Sequence, residues 1–153
     1  MIKIPLKDAS NYFKGLLLLI RKDRQLAEPE IQLMKRIGEA LGFENKFCDN
    51  AIQEILENKY IVDAPPEFST KELAMKFIKD GLKLASSDHE IHPLEEEWLK
   101  STAEKNGIDM KWFLQERETS IMRKTVMLIS KWMILACNIN FNMSFTAKLW
   151  RGY

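Results

Sequence analysis

The chain has 153 residues, of which 46% are hydrophobic and 29% are charged, as in one globular domain that buries a core. Its net charge of +1 hides an uneven distribution: 22 acidic and 18 basic residues lie before position 119, and five basic and no acidic residues follow. The acidic body excludes nucleic acid as an expected partner, because nucleic-acid interfaces usually need a basic face.

The cysteines and the N-terminal residues favour a cytoplasmic location. Cys48 and Cys137 stand alone, without a Cys-x-x-Cys or Cys/His spacing, and indicate free thiols in a reducing compartment. Residues 1–8 lack the continuous apolar core of a signal peptide. We therefore expect a cytoplasmic protein with a single domain over residues 1–153.

Apolar residues recur at helical spacing along nearly the whole chain, and no stretch alternates with a period of two for long. A capping box at 69–72 marks a helix start, whereas Gly42 and Gly107 mark helix ends. These patterns predict an all-α fold, a compact bundle built from a duplicated helical hairpin. The sequence predicts seven helices, at residues 9–22, 28–41, 45–58, 70–86, 93–105, 109–118 and 120–137.

Pro65 and Pro66 divide the chain into two halves, because proline lacks a backbone donor and restricts the residue before it. The halves align with each other about 65 residues apart. The resulting segments are repeat 1 at about 9–58, a linker at 59–68, repeat 2 at about 69–118, and a C-terminal helix and tail at 119–153. The identical pairs are Lys14/Lys79, Leu17/Leu82, Leu19/Leu84, Asp23/Asp88, Glu30/Glu95, Lys35/Lys100, Glu39/Glu104 and Gly42/Gly107.

The repeat places Asp23 and Glu30, and likewise Asp88 and Glu95, on either side of a short loop between two helices. A Glu near a helix N-terminus is stabilised by the helix dipole by about 0.3–1 kcal/mol, whereas an Asp at a C-terminus is opposed by it. The recurring Asp therefore needs a partner. If the halves pack about a pseudo-twofold axis, the four carboxylates converge and would bind Ca²⁺, Mg²⁺ or Mn²⁺, which prefer oxygen ligands. Alternatively, each Asp caps the following turn or pairs with a neighbouring cation such as Lys100.

The only two histidines, His89 and His92, lie in the second loop beside Glu90. Their nitrogen ligands would favour Zn²⁺ or another transition metal. The first loop has Arg24 and Ala27 at the equivalent positions. The alternative interpretation is that both histidines are solvated loop residues.

The second loop resembles the Ala-Asp-Gly-Glu-Ile-x-Pro-x-Glu-like turn of the TerB-like (tellurite-resistance) family, since residues 88–95 read Asp-His-Glu-Ile-His-Pro-Leu-Glu. The resemblance covers about residues 12–112 and implies an all-helical fold with a duplicated helical unit. It also implies a metal-binding or scaffolding module of bacterial stress response without enzymatic activity. Its acidic positions fall on the four carboxylates of the two loops: Asp23, Glu30, Asp88 and Glu95.

No motif indicates catalysis. The chain has no Gly-rich phosphate loop, no Gly-x-Ser-x-Gly, no His-Glu-x-x-His and no Glu-x-x-His of a di-iron bundle. Cys48 and Cys137 fall in predicted helices and are interpreted as small buried hydrophobes. We therefore expect a non-enzymatic protein with a protein partner.

The C-terminal segment is apolar and basic. Residues 121–137 are apolar on more than one face, which predicts a last helix buried across the bundle. The alternative is a membrane-surface or partner-binding segment, because cationic amphipathic stretches favour anionic interfaces. Lys131 and the asparagines at 138, 140 and 142 interrupt the segment before about 20 apolar residues accumulate, so we expect no membrane span. The conformation of residues 138–153 is left open.

Overall fold

The computed structural model describes residues 4–22, 27–86 and 90–149, and for residue 132 and residues 134–149 it describes the backbone alone. Within these ranges every regular element is an α-helix, which confirms the predicted all-α fold. The six helices are α1 (Leu6–Ile20), α2 (Glu28–Ala40), α3 (Asn45–Glu57), α4 (Lys71–Ala85), α5 (Pro93–Lys105) and α6 (Met110–Leu149).

The helix ends follow the local signals in the sequence. Thr70 caps α4, since its side-chain oxygen accepts a hydrogen bond from the Leu73 N–H at 3.3 Å. Gly42 and Gly107 follow α2 and α5 with φ angles of 90° and 65°, a left-handed conformation that costs glycine little. The first five predicted helices accordingly agree with the observed bounds to within three residues.

The duplication is present in the helix bounds themselves. Helices α4 and α5 begin and end 65 residues after α1 and α2, and α6 begins 65 residues after α3. The copies diverge only at the last helix: α3 ends at Glu57, whose equivalent is Met122, whereas α6 continues to Leu149. The second copy therefore carries a helical extension that the first copy lacks.

Helices α1 and α4 are the first helices of the two copies, and they pack against each other in the middle of the body. The Tyr12 and Phe77 rings, which occupy equivalent positions, meet edge to face with centroids 5.2 Å apart. Near the helix starts, Asp8 accepts a hydrogen bond from the Ser69 N–H at 3.1 Å. Near the helix ends, Gly81 lies against the Leu19 side chain. The two helices therefore run in the same direction.

The core forms around α1, in which every residue from 15 to 20 is buried. A helix that is apolar on all sides normally lies inside a protein, and α1 contacts α2, α3, α4 and α5. The buried core is continued by Met34 of α2, Phe77 of α4, Leu99 of α5 and Phe113 of α6. One core therefore joins the two copies.

The linker between the copies is tied to the second copy. The Asn106 side chain accepts a hydrogen bond from the Phe68 N–H at 3.0 Å and donates one to the Pro66 carbonyl at 2.9 Å. The Lys105 ammonium donates to the Pro65 carbonyl at 2.9 Å. These bonds satisfy backbone groups that proline leaves outside any helix.

The prediction of seven helices was wrong, because the segments 109–118 and 120–137 belong to one continuous helix. No glycine or proline lies between them, and the Thr119 hydroxyl donates within the helix to the Gln115 carbonyl at 2.8 Å. Thr125 bonds in the same way to the Ile121 carbonyl at 3.1 Å. The polar residues at 118–120 therefore interrupt the apolar pattern without ending the helix.

The predicted burial of residues 121–137 was also wrong for the side chains that the structure describes. From 121 to 133 these side chains are exposed, except that of Lys124, which is half-buried. The body ends near Met122, the equivalent of the last residue of α3, and the described part of the chain contains no helix after α6 that could bury them. We call residues 121–133 the exposed stretch of α6.

Candidate functional site

Two of the four predicted metal ligands, Glu30 and Glu95, are described, whereas Asp23 and Asp88 lie outside the described residues, as does His89. Glu30 and Glu95 are each only 2% exposed. The Glu30 carboxylate accepts a hydrogen bond from the Ala27 N–H at 2.9 Å, and the Glu95 carboxylate accepts one from the His92 N–H at 3.1 Å. Both bonds close the first turn of a helix, which explains the recurrence of Glu without a metal.

The remaining predicted ligands, His92 and Glu90, are placed differently. His92 is the N-cap of α5, and its Nδ1 accepts a hydrogen bond from the Leu94 N–H at 3.2 Å. Glu90 is exposed. Over residues 4–22, 27–86 and 90–149, no three His, Cys, Asp or Glu side chains are grouped so that they could hold a metal ion. Convergence of all four carboxylates therefore stays a prediction.

Both acidic loops start from the same end of the body, because α1 and α4 run in the same direction. Lys22, at the start of the first loop, pairs with Asp63 and lies with its Nζ 5.9 Å from the ring centroid of Trp98 on α5. The start of the first loop thus lies close to α5, the helix that follows the second loop.

Helix α6 leaves the body at this same end. It runs alongside α4, since Lys79 of α4 pairs with Glu116 at 3.8 Å and Ser86, just after α4, contacts Ser120 at 3.3 Å. Beyond Ser120, the Lys124 ammonium donates to the Ser86 carbonyl. Every side chain of α6 that the structure describes beyond Lys124 is exposed.

The exposed stretch of α6 is apolar over most of its surface. Met122, Val126, Met127 and Met133 are 66%, 64%, 66% and 63% exposed. At about 100° per residue, the side chains at 122, 126, 129 and 133 fall within about 60° of one another and form one apolar face. We call these four residues, Met122, Val126, Ile129 and Met133, the apolar face of α6.

The exposed stretch also carries only positive charge. Arg123 and Lys131 are exposed, and no acidic residue follows Glu118 anywhere in the sequence. On a helical projection Arg123, Lys124 and Lys131 lie within about 100° of one another, on the side away from the apolar face. Met127 falls among these cations, so apolar side chains occur on both sides of the helix.

A part-buried polar pair that the sequence interpretation missed joins the two copies. The Tyr12 hydroxyl donates to the Asp80 carboxylate, which also accepts from Lys76 at 3.1 Å. Burial first, and then the Asp80 charge, raises the pKa of Tyr12 far above its ordinary value. The symmetry-equivalent contact is that of Phe77 with Gly15. The available signal was that both members of this pair depart from the repeat.

The cysteine that the structure describes at side-chain level gives no support to a nucleophilic site. Cys48 is fully buried, and burial raises the pKa of its thiol, which keeps the sulfur protonated. Its environment includes the Phe13 side chain and Gly38. Cys48 is thus a packing residue of the first copy.

Among the described residues, no helix combines the length and apolarity that crossing a membrane would require. Comparisons of the chain with protein-family models, with curated proteins and with solved structures found no match.

Proposed function

We propose that the protein is a non-enzymatic docking module that binds an apolar surface through the exposed stretch of α6. The observation that carries the proposal is the run of exposed apolar side chains from Ile121 to Met133. A contiguous exposed apolar surface on a folded protein usually marks an interaction site. The duplicated body then serves as the base that presents this helix.

The comparison between the two copies supports this assignment. The buried side chains of α3, and those of α6 that the structure describes, all lie before Glu57 or its equivalent, Met122. The α6 extension begins at this point. Its described apolar side chains, from Val126 to Met133, are exposed, and an interaction accounts for them.

The energy available to such an interaction is substantial. Complete burial of an exposed Val, Ile or Met side chain contributes about 1.5–3 kcal/mol, so the four residues of the apolar face offer about 6–12 kcal/mol before the costs of association. Those costs are of comparable size, roughly 4–15 kcal/mol. The expected result is reversible binding whose strength depends on most of the apolar face.

The proposal is tested by the full-length protein with nonionic dodecyl maltoside micelles, analysed by size exclusion with light scattering. Wild type should elute with bound detergent, and a variant with glutamine at all four positions of the apolar face should not. This variant keeps the fold, because the four side chains are exposed. A control variant carries glutamine at four exposed apolar positions of the body, namely Leu6, Tyr60, Val62 and Leu94.

The control variant should bind detergent as wild type does. Equal detergent binding by wild type and by the apolar-face variant would overturn the proposal, as would loss of binding in the control alone. Circular dichroism of each variant checks that helix content is unchanged.

A cation-binding module of the TerB-like kind is the second candidate. It is favoured by one observation, that both acidic loops start from the end of the body at which Lys22 reaches Trp98. This candidate predicts that Asp23 and Asp88 complete a site with Glu30 and Glu95. The two candidates are compatible, because the loops and the exposed stretch of α6 are separate parts of the chain.

A further inference from the structure

We infer that the surface bound by the exposed stretch of α6 is an anionic membrane surface, an inference that rests on the function proposed above. A helix that lies in a lipid interface needs an apolar face for the acyl chains and basic residues for the headgroups. The apolar face of α6 and the cations Arg123 and Lys131 supply these two elements on one helix.

The charge distribution singles out an anionic surface. Beyond Glu118 the chain contains five basic residues and no acidic one, whereas the remainder contains 22 acidic and 18 basic residues. A negatively charged membrane attracts each nearby cation by roughly 1 kcal/mol and repels a net negative body. Contact is therefore directed to α6 and away from the two repeats.

The same charges disfavour a second copy of the chain as the occupant. Two exposed stretches packed together would combine the positive charge of both chains without any carboxylate in either stretch to neutralise it. Like charges at such distances repel, and salt screens this repulsion only beyond about 10 Å at 0.1 M. An anionic surface instead attracts the exposed cations of one helix, Arg123 and Lys131, wherever they lie within about a Debye length of it.

The helix direction and length fit a surface-lying orientation. The exposed stretch spans 13 residues, roughly 20 Å at 1.5 Å per residue, and the α6 backbone continues as helix to Leu149. No described helix meets the requirements of a membrane span. The structure is thus compatible with a helix that lies along the interface rather than across it.

The test is flotation of the full-length protein with vesicles of phosphatidylcholine and with vesicles of phosphatidylcholine mixed with phosphatidylglycerol. The key variant is Arg123→Gln with Lys131→Gln; Lys124 is left intact because it bonds to Ser86. A matched control, Lys46→Gln with Lys71→Gln, removes two exposed charges from the body.

Wild type should bind the vesicles that contain phosphatidylglycerol and bind the neutral vesicles far more weakly. Neutralising Arg123 and Lys131 should weaken partitioning about 30-fold, which corresponds to roughly 1 kcal/mol for each cation. The control variant should partition as wild type does. Raising the salt concentration should weaken binding, because the cations are exposed.

Equal binding to both kinds of vesicle would overturn the inference, as would an equal loss in the control variant. Binding to detergent micelles without binding to anionic vesicles would leave the proposed function standing and reject the membrane as partner in favour of an acidic protein. Failure with both micelles and vesicles would reject the proposed function as well. A dimer in light scattering that the apolar-face variant dissociates would show that a second copy covers the helix, and would also overturn the inference.

Discussion

Replacement of Gly38 by alanine tests the packing of the first copy in a way that the second copy controls. Gly38 lies on α2, and a Cβ there would clash with the Cys48 Sγ and lie 2.9 Å from the Phe13 ring. The equivalent residue of the second copy is Ala103, which is fully buried. The same exchange can therefore be made in opposite directions at matched sites.

The expected cost follows from two opposing terms. Alanine gains about 1 kcal/mol over glycine from helix propensity. Forcing a methyl group into a filled core costs about 1–3 kcal/mol. Gly38→Ala should thus destabilise the protein by roughly 1 kcal/mol. Ala103→Gly should also destabilise it, by about 1 kcal/mol or more, because there the propensity and burial effects have the same sign.

Urea unfolding followed by circular dichroism measures both changes. Cys48→Ala removes the sulfur that the new methyl group meets, so Gly38→Ala should cost less in that background, with a coupling energy of about 0.5–3 kcal/mol. Stabilisation by Gly38→Ala of about 1 kcal/mol, the value of helix propensity alone, would refute the close contact of α2 with Cys48.

Three further predictions concern the polar pair, one helix end and the acidic loops. Tyr12→Phe should cost about 1–2 kcal/mol near neutral pH through the lost bond to Asp80. Because the pKa of Tyr12 is raised on folding, the free energy of unfolding of wild type should fall by about 1.4 kcal/mol more than that of Tyr12→Phe for each pH unit above about 10. Urea midpoints that change with pH in parallel for the two proteins would contradict this. Gly107→Ala should lower the free energy of unfolding by about 1–2 kcal/mol, because Gly107 has a positive φ, and Gly107→Asn should lower it less. An equal decrease in both variants would count against backbone strain at this position. If the acidic loops bind a cation, Ca²⁺ or Mn²⁺ should raise the melting temperature of wild type but not of Asp88→Asn with Glu95→Gln, and identical responses would remove the site.

The predictable part of the fold is the part that short-range signals determine. Glycines at 42 and 107 and the cap at Thr70 act within one helical turn, so helix bounds in the repeats could be placed closely. The duplication could be recognised because equivalent core residues must match in size and polarity. The continuity of α6 could not be recognised from the sequence. The polar residues at 118–120 resemble a loop, and only the structure shows the hydrogen bond of Thr119 within the helix.

Burial was harder to predict than helix formation. An apolar helix indicates that its side chains are buried against another surface. The sequence does not say whether that surface belongs to the same chain or to a partner. The pairing of Tyr12 with Asp80 depends on the parallel packing of α1 and α4, which joins residues 68 positions apart. The recurrence of Glu30 and Glu95 predicts metal ligands, whereas their described bonds show that each also caps a helix, a role that recurrence alone does not distinguish from metal binding.

The most direct test of the proposed function is the environment of a nitroxide label at Ile129, measured by electron paramagnetic resonance. In the protein alone, the label should be accessible to a water-soluble nickel complex, because Ile129 is 53% exposed. With dodecyl maltoside micelles it should become accessible to oxygen and shielded from nickel, while a label at Lys46 should not change. A label at Ile129 that is shielded in the protein alone, or that stays accessible to nickel with micelles, would contradict the account.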